Sequence, residues 1–386
     1  MEKIEIRIGI KTSGKPILER SGNFTLLKNM LIGDGFHWES SIAALLPGEI
    51  KNVNHITLPP NDSTDINKRD CGKNVDRNIT LINIVPLEEY LECVVGSEMN
   101  PQAPKEFLKA HAVISRNWAL GKIKGHHCID NKGKFDENSR LIGWDDTSQH
   151  NGFHVCSDDH CQRYQGWQNI STENKEAIQT TAGQVLLDQQ GNLLDTRFSK
   201  CCGGETEIFS TCWQDIDFSY LQNIKDPWCD MKSLSSPLQR RLLSSCLKDY
   251  DLSTPNYGAG WHHEIKKTDI KKNLKMRFGR DVGEILGIKI LNRGKSGRVN
   301  LIEIVGTLGT LKLGKELWIR RLLSSSCLYS SAFEIKDCGE DLSITGRGWG
   351  HGVGLCQIGA ANMAINGYDF KQILSFYYPG SILSKI

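Results

Sequence analysis

Hydrophobic and polar residues alternate from Ile4 to Ile10, and short apolar pieces follow at Asn23 to Leu27 and Ile42 to Leu46, separated by Gly, Pro and Asn. A period of two bounded by turn formers predicts strands, so residues 1–79 read as a mainly β N-terminal region. Pro59 to Asn78 is polar and rich in Asn, Asp and Lys, which marks a boundary or an exposed loop. Thr80 to Val85 is another apolar strand, after which the spacing becomes helical. Pro86 opens a helix through Leu87 to Val95, and Gly96 is expected to stop it, leaving Ser97, Glu98 and Met99 in a loop. Pro104 opens a second helix to about Lys122, with Phe107, Leu108, His111, Ile114 and Trp118 at helical steps.

From Gly125 to Gly166 the chain is polar and rich in His, Cys, Asp and Gly, so something other than a hydrophobic core is expected to hold it. A third helix, about Asn174 to Ala182, leads to strands near Val185 to Leu187 and Asp195 to Ser199. Between about 230 and 335 helical and strand pieces alternate, including a hairpin of Ile288 to Leu291 with Val299 to Val305. The fold class this predicts is α+β, with mixed small sheets and helices. Residues 80–386 would form the main domain, with 230–335 an α+β subdomain or insertion within it.

The chain of 386 residues is 39% hydrophobic and 24% charged, ordinary for a globular protein. With 47 basic and 45 acidic residues the net charge is +2, and no long Lys/Arg run occurs. Nucleic acid and an anionic membrane are therefore poor partners, and a neutral polymer such as a glycan fits better. No apolar run approaches the roughly 18 residues a membrane helix needs. The first ten residues alternate like a strand where a signal peptide would show a basic and then an apolar segment, so neither an anchor nor an export signal is expected. The 13 cysteines are odd in number and irregularly spaced, unlike a disulfide framework; some are expected to bind metal and others to be buried.

Three stretches offer chemistry. In the first, Glu98 has Val94, Val95 and Met99 near it, apolar neighbours that can desolvate a carboxyl for general acid work, although an isolated Glu of this kind more often is solvated or caps a helix. The second, Arg197 to Glu207, runs a strand into the pair Gly203 and Gly204, which is either a tight turn or a place where a ligand approaches the backbone, with Ser199 the polar side chain placed to face it. The third, Gly346 to Ala364, alternates glycines with Arg347, Trp349, His351 and Val353 before a helix of about Gln357 to Asn366. Neither a Walker lysine nor a dinucleotide-binding context follows it. A sugar site is as physical as a phosphate cradle, with Trp349 for stacking and His351 and Gln357 for hydrogen bonds.

His150, His154, Cys156, His160 and Cys161 lie within twelve residues of a polar loop, the ligand chemistry of tetrahedral zinc. The preferred set is His150, Cys156, His160 and Cys161, with His154 or Cys128 as a substitute. Four protein ligands would close the coordination sphere, so this zinc would be structural. A Cys156–Cys161 disulfide, free thiols or metal-free histidines are the competing readings. Cys201 and Cys202 are expected to be packed and not bridged, because a vicinal disulfide strains the peptide between them.

In VPLEEYLECVVGSEM, PKEFLKAHAVISRNWA, FSKCCGGETE, GRGWGHGVGLCQIGAANMA and the later FYYPG at Phe376 to Gly380, the chain resembles the SpoIID/LytB family of bacterial sporulation and cell-wall proteins. The resemblance covers about residues 80 to 386 in unbroken order. It implies a peptidoglycan lytic transglycosylase with a curved glycan-binding groove and an extracytoplasmic location, in the periplasm or cell wall. Glu98, the Glu of the SEM motif, would protonate the bond between N-acetylmuramic acid and N-acetylglucosamine, then accept the proton of the muramic 6-hydroxyl as a 1,6-anhydro ring closes. Lys109, Arg116, Ser199, His351 and Gln357 occupy matching positions and would bind substrate or support Glu98. Some relatives carry zinc in the region of the His/Cys cluster. His111 and Cys356 stand where many relatives have Gln and Ser.

Two other functions fit the same residues. One is a non-catalytic peptidoglycan-binding enhancer of a cell-wall amidase, as the name amidase enhancer given to some relatives implies. The other is a zinc hydrolase of amide bonds, against which a closed ligand set argues.

Overall fold

The computed structural model describes residues 4–12, 17–21, 24–31, 41–53, 79–125, 131–144, 150, 152–158, 161–229 and 260–386. The polar stretch from Pro59 to Asn78, the start of the 230–335 segment up to 259, Cys128 and His160 lie outside the described residues. The fold is α+β, as the mixture of two- and four-residue spacings predicts.

The N-terminal alternation becomes β1 (Glu5–Thr12), followed by β2 (Leu18–Ser21), β3 (Phe24–Leu31), β4 (Ser41–Leu46), β5 (Glu49–Val53) and β6 (Ile79–Pro86). The alternate residues Ile6, Ile8 and Ile10 are fully buried, each stabilising the fold by about 1.5–3 kcal/mol. Strand β1 runs antiparallel to β6, with Glu5 opposite Pro86 and Thr12 opposite Ile79. The N-terminal β region therefore shares a sheet with the strand that leads into the first helix.

Pro86 and Pro104, with φ of −57° and −55°, sit at the N-caps of α1 (Leu87–Glu98) and α2 (Lys105–Ile123), where their fixed φ starts a helix and their missing N–H costs nothing. Helix α1 does not stop at Gly96 but runs through it to Glu98. The glycine serves a close approach: a Cβ there would meet the Asn169 carbonyl oxygen at 2.7 Å. Glu98 is thus the last residue of a helix and not part of a loop.

The polar segment after α2 is also less irregular than its composition suggests. It contains the hairpin β7 (Asn131–Phe135) and β8 (Arg140–Trp144), then β9 (Val155–Cys156), which pairs in parallel with β1. Helix α3 (Thr172–Thr180) is capped by Ser171, and β10 (Gln184–Leu187) follows. The strand expected over Asp195 to Ser199 shrinks to β11 (Phe198–Ser199), the Arg197 N–H turning back onto the Asp195 carbonyl at 3.1 Å. A short helix, α4 (Phe209–Cys212), closes this part.

A second core is formed chiefly by residues 261–344. Its elements are β12 (Trp261–Lys266), α5 (Lys267–Phe278), β13 (Ile285–Arg293), β14 (Val299–Gly306), β15 (Gly309–Gly314), α6 (Glu316–Leu322), β16 (Phe333–Cys338) and β17 (Asp341–Gly346). The expected hairpin is β13 with β14, and β15 extends the sheet to the β7–β8 hairpin through a parallel pairing with β8. The chain then returns to the first core through β18 (Leu355–Cys356), α7 (Gln357–Ile365), α8 (Phe370–Tyr377) and β19 (Ile382–Lys385), the last pairing with β10.

Gly96→Ala is a direct test of the close approach. In an exposed helix the change would stabilise by about 0.5–1 kcal/mol. Against the Asn169 backbone it is expected to destabilise by about 1–3 kcal/mol, read as a lower denaturant midpoint at unchanged m-value.

Candidate active site

Glu98 is held by the chain that follows the His/Cys cluster. Its Oε1 accepts the Arg163 backbone N–H at 3.0 Å. One residue earlier, Ser97 Oγ donates to the Cys93 carbonyl at 2.7 Å and accepts the Gln165 N–H at 3.0 Å. Tyr90, one face back along α1, donates to Gln162 Oε1 at 3.1 Å and stacks on Tyr164 with ring centres 5.7 Å apart. Asn83 Nδ2 in turn donates to the Tyr164 hydroxyl at 2.9 Å. Residues 162–165 are thus docked onto the last turns of α1 by side chains and backbone in alternation, and the Glu98 carboxylate is fixed at one oxygen while the residue stays half-buried.

Immediately before that segment, His150, Cys156 and Cys161 converge, with one donor atom from each lying within 4.8 Å of the others. His150 Nε2 is 3.7 Å from Cys161 Sγ, which also accepts the Cys156 N–H at 3.4 Å. Ligands of a tetrahedral zinc, with bonds of about 2.0–2.3 Å, stand roughly 3.3–3.8 Å apart, so two thiols and an imidazole at this spacing fit such an ion. Of the expected set, three members are brought together; the fourth, His160, is outside the described residues. His154, the substitute donor, is turned to Arg7, its Nδ1 accepting the Arg7 N–H at 3.1 Å and its Nε2 lying 3.0 Å from the guanidinium.

Ser199, His351 and Gln357 gather elsewhere. Strands β11 and β18 pair in parallel, setting Ser199 opposite Cys356, and Cys201 exchanges backbone hydrogen bonds with Trp349 at 3.0 and 2.8 Å. The glycine-rich segment is thereby laced to the strand before it. Ser199 Oγ is buried and has no hydrogen-bond partner among the described residues. His351 Nδ1 accepts the Val353 N–H at 3.0 Å, and its ring lies edge-on to Trp213, centres 4.9 Å apart. Burial, then the nearby Arg197, Arg298 and Arg320 guanidiniums, hold this imidazole well below its usual pKa, so it is neutral. Gln357 Nε2 is 3.2 Å from Nε2 of His111, whose Nδ1 is 3.2 Å from Ser115 Oγ. Burial pushes His111 down to about 3.

Lys109 and Arg116 brace helices. Lys109 donates to Glu106 Oε1 at 2.7 Å, and Glu106 Oε2 accepts the Phe370 N–H at 2.9 Å, tying α2 to the start of α8. Arg116 is fully buried and grips both oxygens of Glu88 at 2.8 and 2.7 Å, with its remaining reach to the Gln184 carbonyl. Among the described residues no hydrogen bond joins Glu98 to Lys109, Arg116, Ser199, His351 or Gln357. A cleft of about 470 Å³, lined by Arg140, Trp144, Asp215, Arg293 and Lys315 among others, opens instead beside the β13–β15 sheet and contains none of these residues.

Sequence reading missed the support beneath the glycine loop. Arg298, fully buried, donates to the Cys202 carbonyl at 3.1 Å and to Ser296 Oγ at 2.9 Å, and Ser296 Oγ donates to Glu207 at 2.7 Å. Gly352 has φ +77°, and a Cβ there would run into the Arg298 guanidinium. The lone signal available was the density of glycines, which says that something comes close but not what. Cys201 and Cys202 are buried and unbridged, as expected.

The chain matches the family described as "Stage II sporulation protein" over residues 75–187 and a domain of unknown function, DUF8618, over residues 207–354. It is 27% identical over 302 residues to an uncharacterized protein of Brachyspira hyodysenteriae, covering 78% of this chain and 67% of that one. It is 25% identical over 305 residues to the stage II sporulation protein D of Bacillus subtilis, covering 78% of this chain and 75% of that protein. To the amidase enhancer of the same organism it is 28% identical over 250 residues, 58% of this chain but 34% of the relative. No helix among the described residues is long and apolar enough to cross a membrane.

A neutral His111 makes stability depend on pH. Unfolded, it takes up a proton below about 6.5, and folded only near 3, so the unfolded state binds more protons between these values and stability falls as pH falls. The slope from this residue approaches about 1.4 kcal/mol per pH unit in that window. His111→Gln, which keeps a polar partner for Gln357, is expected to flatten the decline between pH 6.5 and 5 in denaturant midpoints.

Proposed function

Since the chain belongs to the SpoIID/LytB family, a family of cell-wall-related proteins, we propose that it is a peptidoglycan lytic transglycosylase with Glu98 as its single acid and base. The observation that carries this reading is the carboxyl of Glu98 itself. It stands at the end of α1, half-buried, with Oε1 fixed by the Arg163 N–H and, among the described residues, no hydrogen bond on Oε2. A carboxyl held at one oxygen and open at the other can give a proton to a glycosidic oxygen and later take one back.

In the reaction, protonated Glu98 donates to the oxygen linking N-acetylmuramic acid to N-acetylglucosamine, and the bond from that oxygen to the muramic C1 breaks. The carboxylate left behind accepts the proton of the muramic 6-hydroxyl as its oxygen bonds to C1, closing the 1,6-anhydro ring. Glu98 ends as it began, and neither a water nor a second carboxylate is consumed, unlike the paired-carboxylate hydrolases. Ser199, whose buried hydroxyl has no partner among the described residues, would hydrogen-bond the glycan only once the segment covering it moves aside. Lys109, Arg116, His351 and Gln357 serve by holding α2, α8 and the glycine loop in place.

Zinc would be held by His150, Cys156 and Cys161, with His160 the expected fourth ligand. It would supply no chemistry beyond fixing the loop whose next residues, Gln162 to Gln165, hold Glu98 and Ser97. Peptidoglycan as substrate puts the working location outside the cytoplasm. The similarity to an amidase enhancer keeps one other reading, a glycan-binding partner of a cell-wall amidase.

The test is mass spectrometry of purified glycan strands, with and without stem peptides, after incubation with the wild type and with Glu98→Gln. Anhydro-muramic ends are expected from the wild type and reduced on the order of 10²–10⁴-fold by the substitution, with glycan binding kept. Reducing ends would make the protein a hydrolase. Glycan binding without products, together with stimulation of an amidase that survives Glu98→Gln, would establish the enhancer.

A further inference from the structure

Away from Glu98, three segments distant in sequence bring thiols into one buried place. Cys202 comes from the segment between β11 and the double glycine, Cys229 from the 3-10 turn Pro227–Cys229, and Cys356 from the N-cap of α7. Asp226 stands with them. One donor atom from each of Cys202, Asp226, Cys229 and Cys356 lies within 4.8 Å of all the others, and all four residues are buried. Cys201 adds a fifth donor, its Sγ 3.4 Å from that of Cys229.

The surroundings are those of anionic sulfur and oxygen. Cys356 Sγ accepts the backbone N–H groups of Cys202 at 3.3 Å and Gly359 at 3.4 Å, the second belonging to the first turn of α7, whose amides favour negative charge. Asp226 Oδ1 accepts the N–H groups of Trp228 and Cys229 at 3.0 and 3.2 Å, and Oδ2 accepts the Tyr377 hydroxyl at 2.8 Å and the Cys202 thiol at 3.3 Å. No Lys, Arg or His is among these partners. A carboxylate buried with thiols and no cation is costly, and a divalent ion at their centre removes the cost. Backbone and hydroxyl donors on the outer side of ligand atoms are also what orients a metal site.

We propose that Cys202, Asp226, Cys229 and Cys356 bind a second, mononuclear zinc-type ion that pins the glycine-rich loop and α7 to the 226–229 turn. Bonds of about 2.3 Å meeting at a tetrahedral angle separate two sulfurs by roughly 3.8 Å, within the spacing seen here. An iron–sulfur cluster places irons and sulfides between its thiolates and needs a wider cage. Four protein donors fill a tetrahedral sphere, so the ion is structural, and it is distinct from the His150, Cys156 and Cys161 group because no residue is shared.

The experiment uses the full chain purified without chelator, with zinc counted per chain by mass spectrometry and thiols titrated after denaturation. Cys156→Ser/Cys161→Ser removes the first cluster and is expected to retain one equivalent of zinc. Adding Asp226→Asn, which keeps the Tyr377 contact and every remaining thiol, is expected to weaken retention on the order of 10–100-fold against a competing chelator. Cobalt exchanged into the Cys156→Ser/Cys161→Ser protein should show thiolate-to-metal charge-transfer absorption that Cys229→Ser lowers. A folded Cys156→Ser/Cys161→Ser protein with no bound metal overturns the proposal, as does a disulfide joining Cys229 to Cys201 or Cys202. Activity on glycan is not the readout, so failure of the transglycosylase reading and failure of this one are separable.

Discussion

A helix buried on every side can carry polar groups only where each finds a partner, and α2 imposes that condition on the rest of the molecule. Arg116 needs both oxygens of Glu88 on α1 and the Gln184 carbonyl on β10. Asn117 accepts the Leu186 N–H at 2.6 Å and donates to the Leu186 carbonyl at 2.7 Å, completing what β10 lacks on that side. Thr196 donates to the Ile114 carbonyl at 2.7 Å, and His111 joins Ser115 to Gln357 on α7. Orphaning any one of these neutral groups costs about 1–3 kcal/mol, and leaving the arginine charge unpaired costs more. The positions of α1, β10 and α7 are therefore set by hydrogen bonds that radiate from one helix, with apolar packing filling the space between them.

The same rule governs the glycine-rich loop, from the opposite side. Arg298 and Glu207 are both buried, and Ser296 Oγ stands between them, donating to one and accepting from the other. Arg298 and Ser296 belong to the connection between β13 and β14, so the tip of a hairpin from the second core becomes the floor under a loop of the first. The guanidinium occupies the volume where side chains of the loop would otherwise point, which is why Gly352 must be glycine. It also adds to what keeps His351 neutral. Burial acts first, and a fourth positive charge beside Arg197, Arg298 and Arg320 is further disfavoured, so the imidazole acts through its hydrogen bonds alone.

Much of the architecture was legible because it rests on local spacing. The prolines before α1 and α2, the alternation of β1, the β13–β14 hairpin and the helix after the glycine loop all follow from residues close in sequence. Gly96 misled because a glycine after an apolar run has the same letter whether it ends a helix or lets another segment touch it, and the Asn169 carbonyl is 73 residues away. The β7–β8 hairpin was hidden for a related reason: its polar sequence is paid for by pairing with β15, far along the chain. At the site, the His150, Cys156 and Cys161 cluster was readable because its members are neighbours. Cys202, Asp226, Cys229 and Cys356 were not, since nothing in one segment points to the other two.

What positions Glu98 is the path of a backbone. The Arg163 N–H that holds its carboxylate is present whatever side chain residue 163 carries, so no substitution there other than proline deletes it. The contact depends on where residues 162–165 run, and that path is fixed at one end by Tyr90, Tyr164 and Asn83 and at the other by the His150, Cys156 and Cys161 group. Aromatic stacking and buried hydrogen bonds act on the near end, while at the far end β9 pairs with β1, Val155 is fully buried, and two thiols and an imidazole converge. An ion held there by the two thiols and the imidazole would stiffen the whole span. The geometry of an acid at the end of α1 is thus set by a loop that contributes no side chain to it.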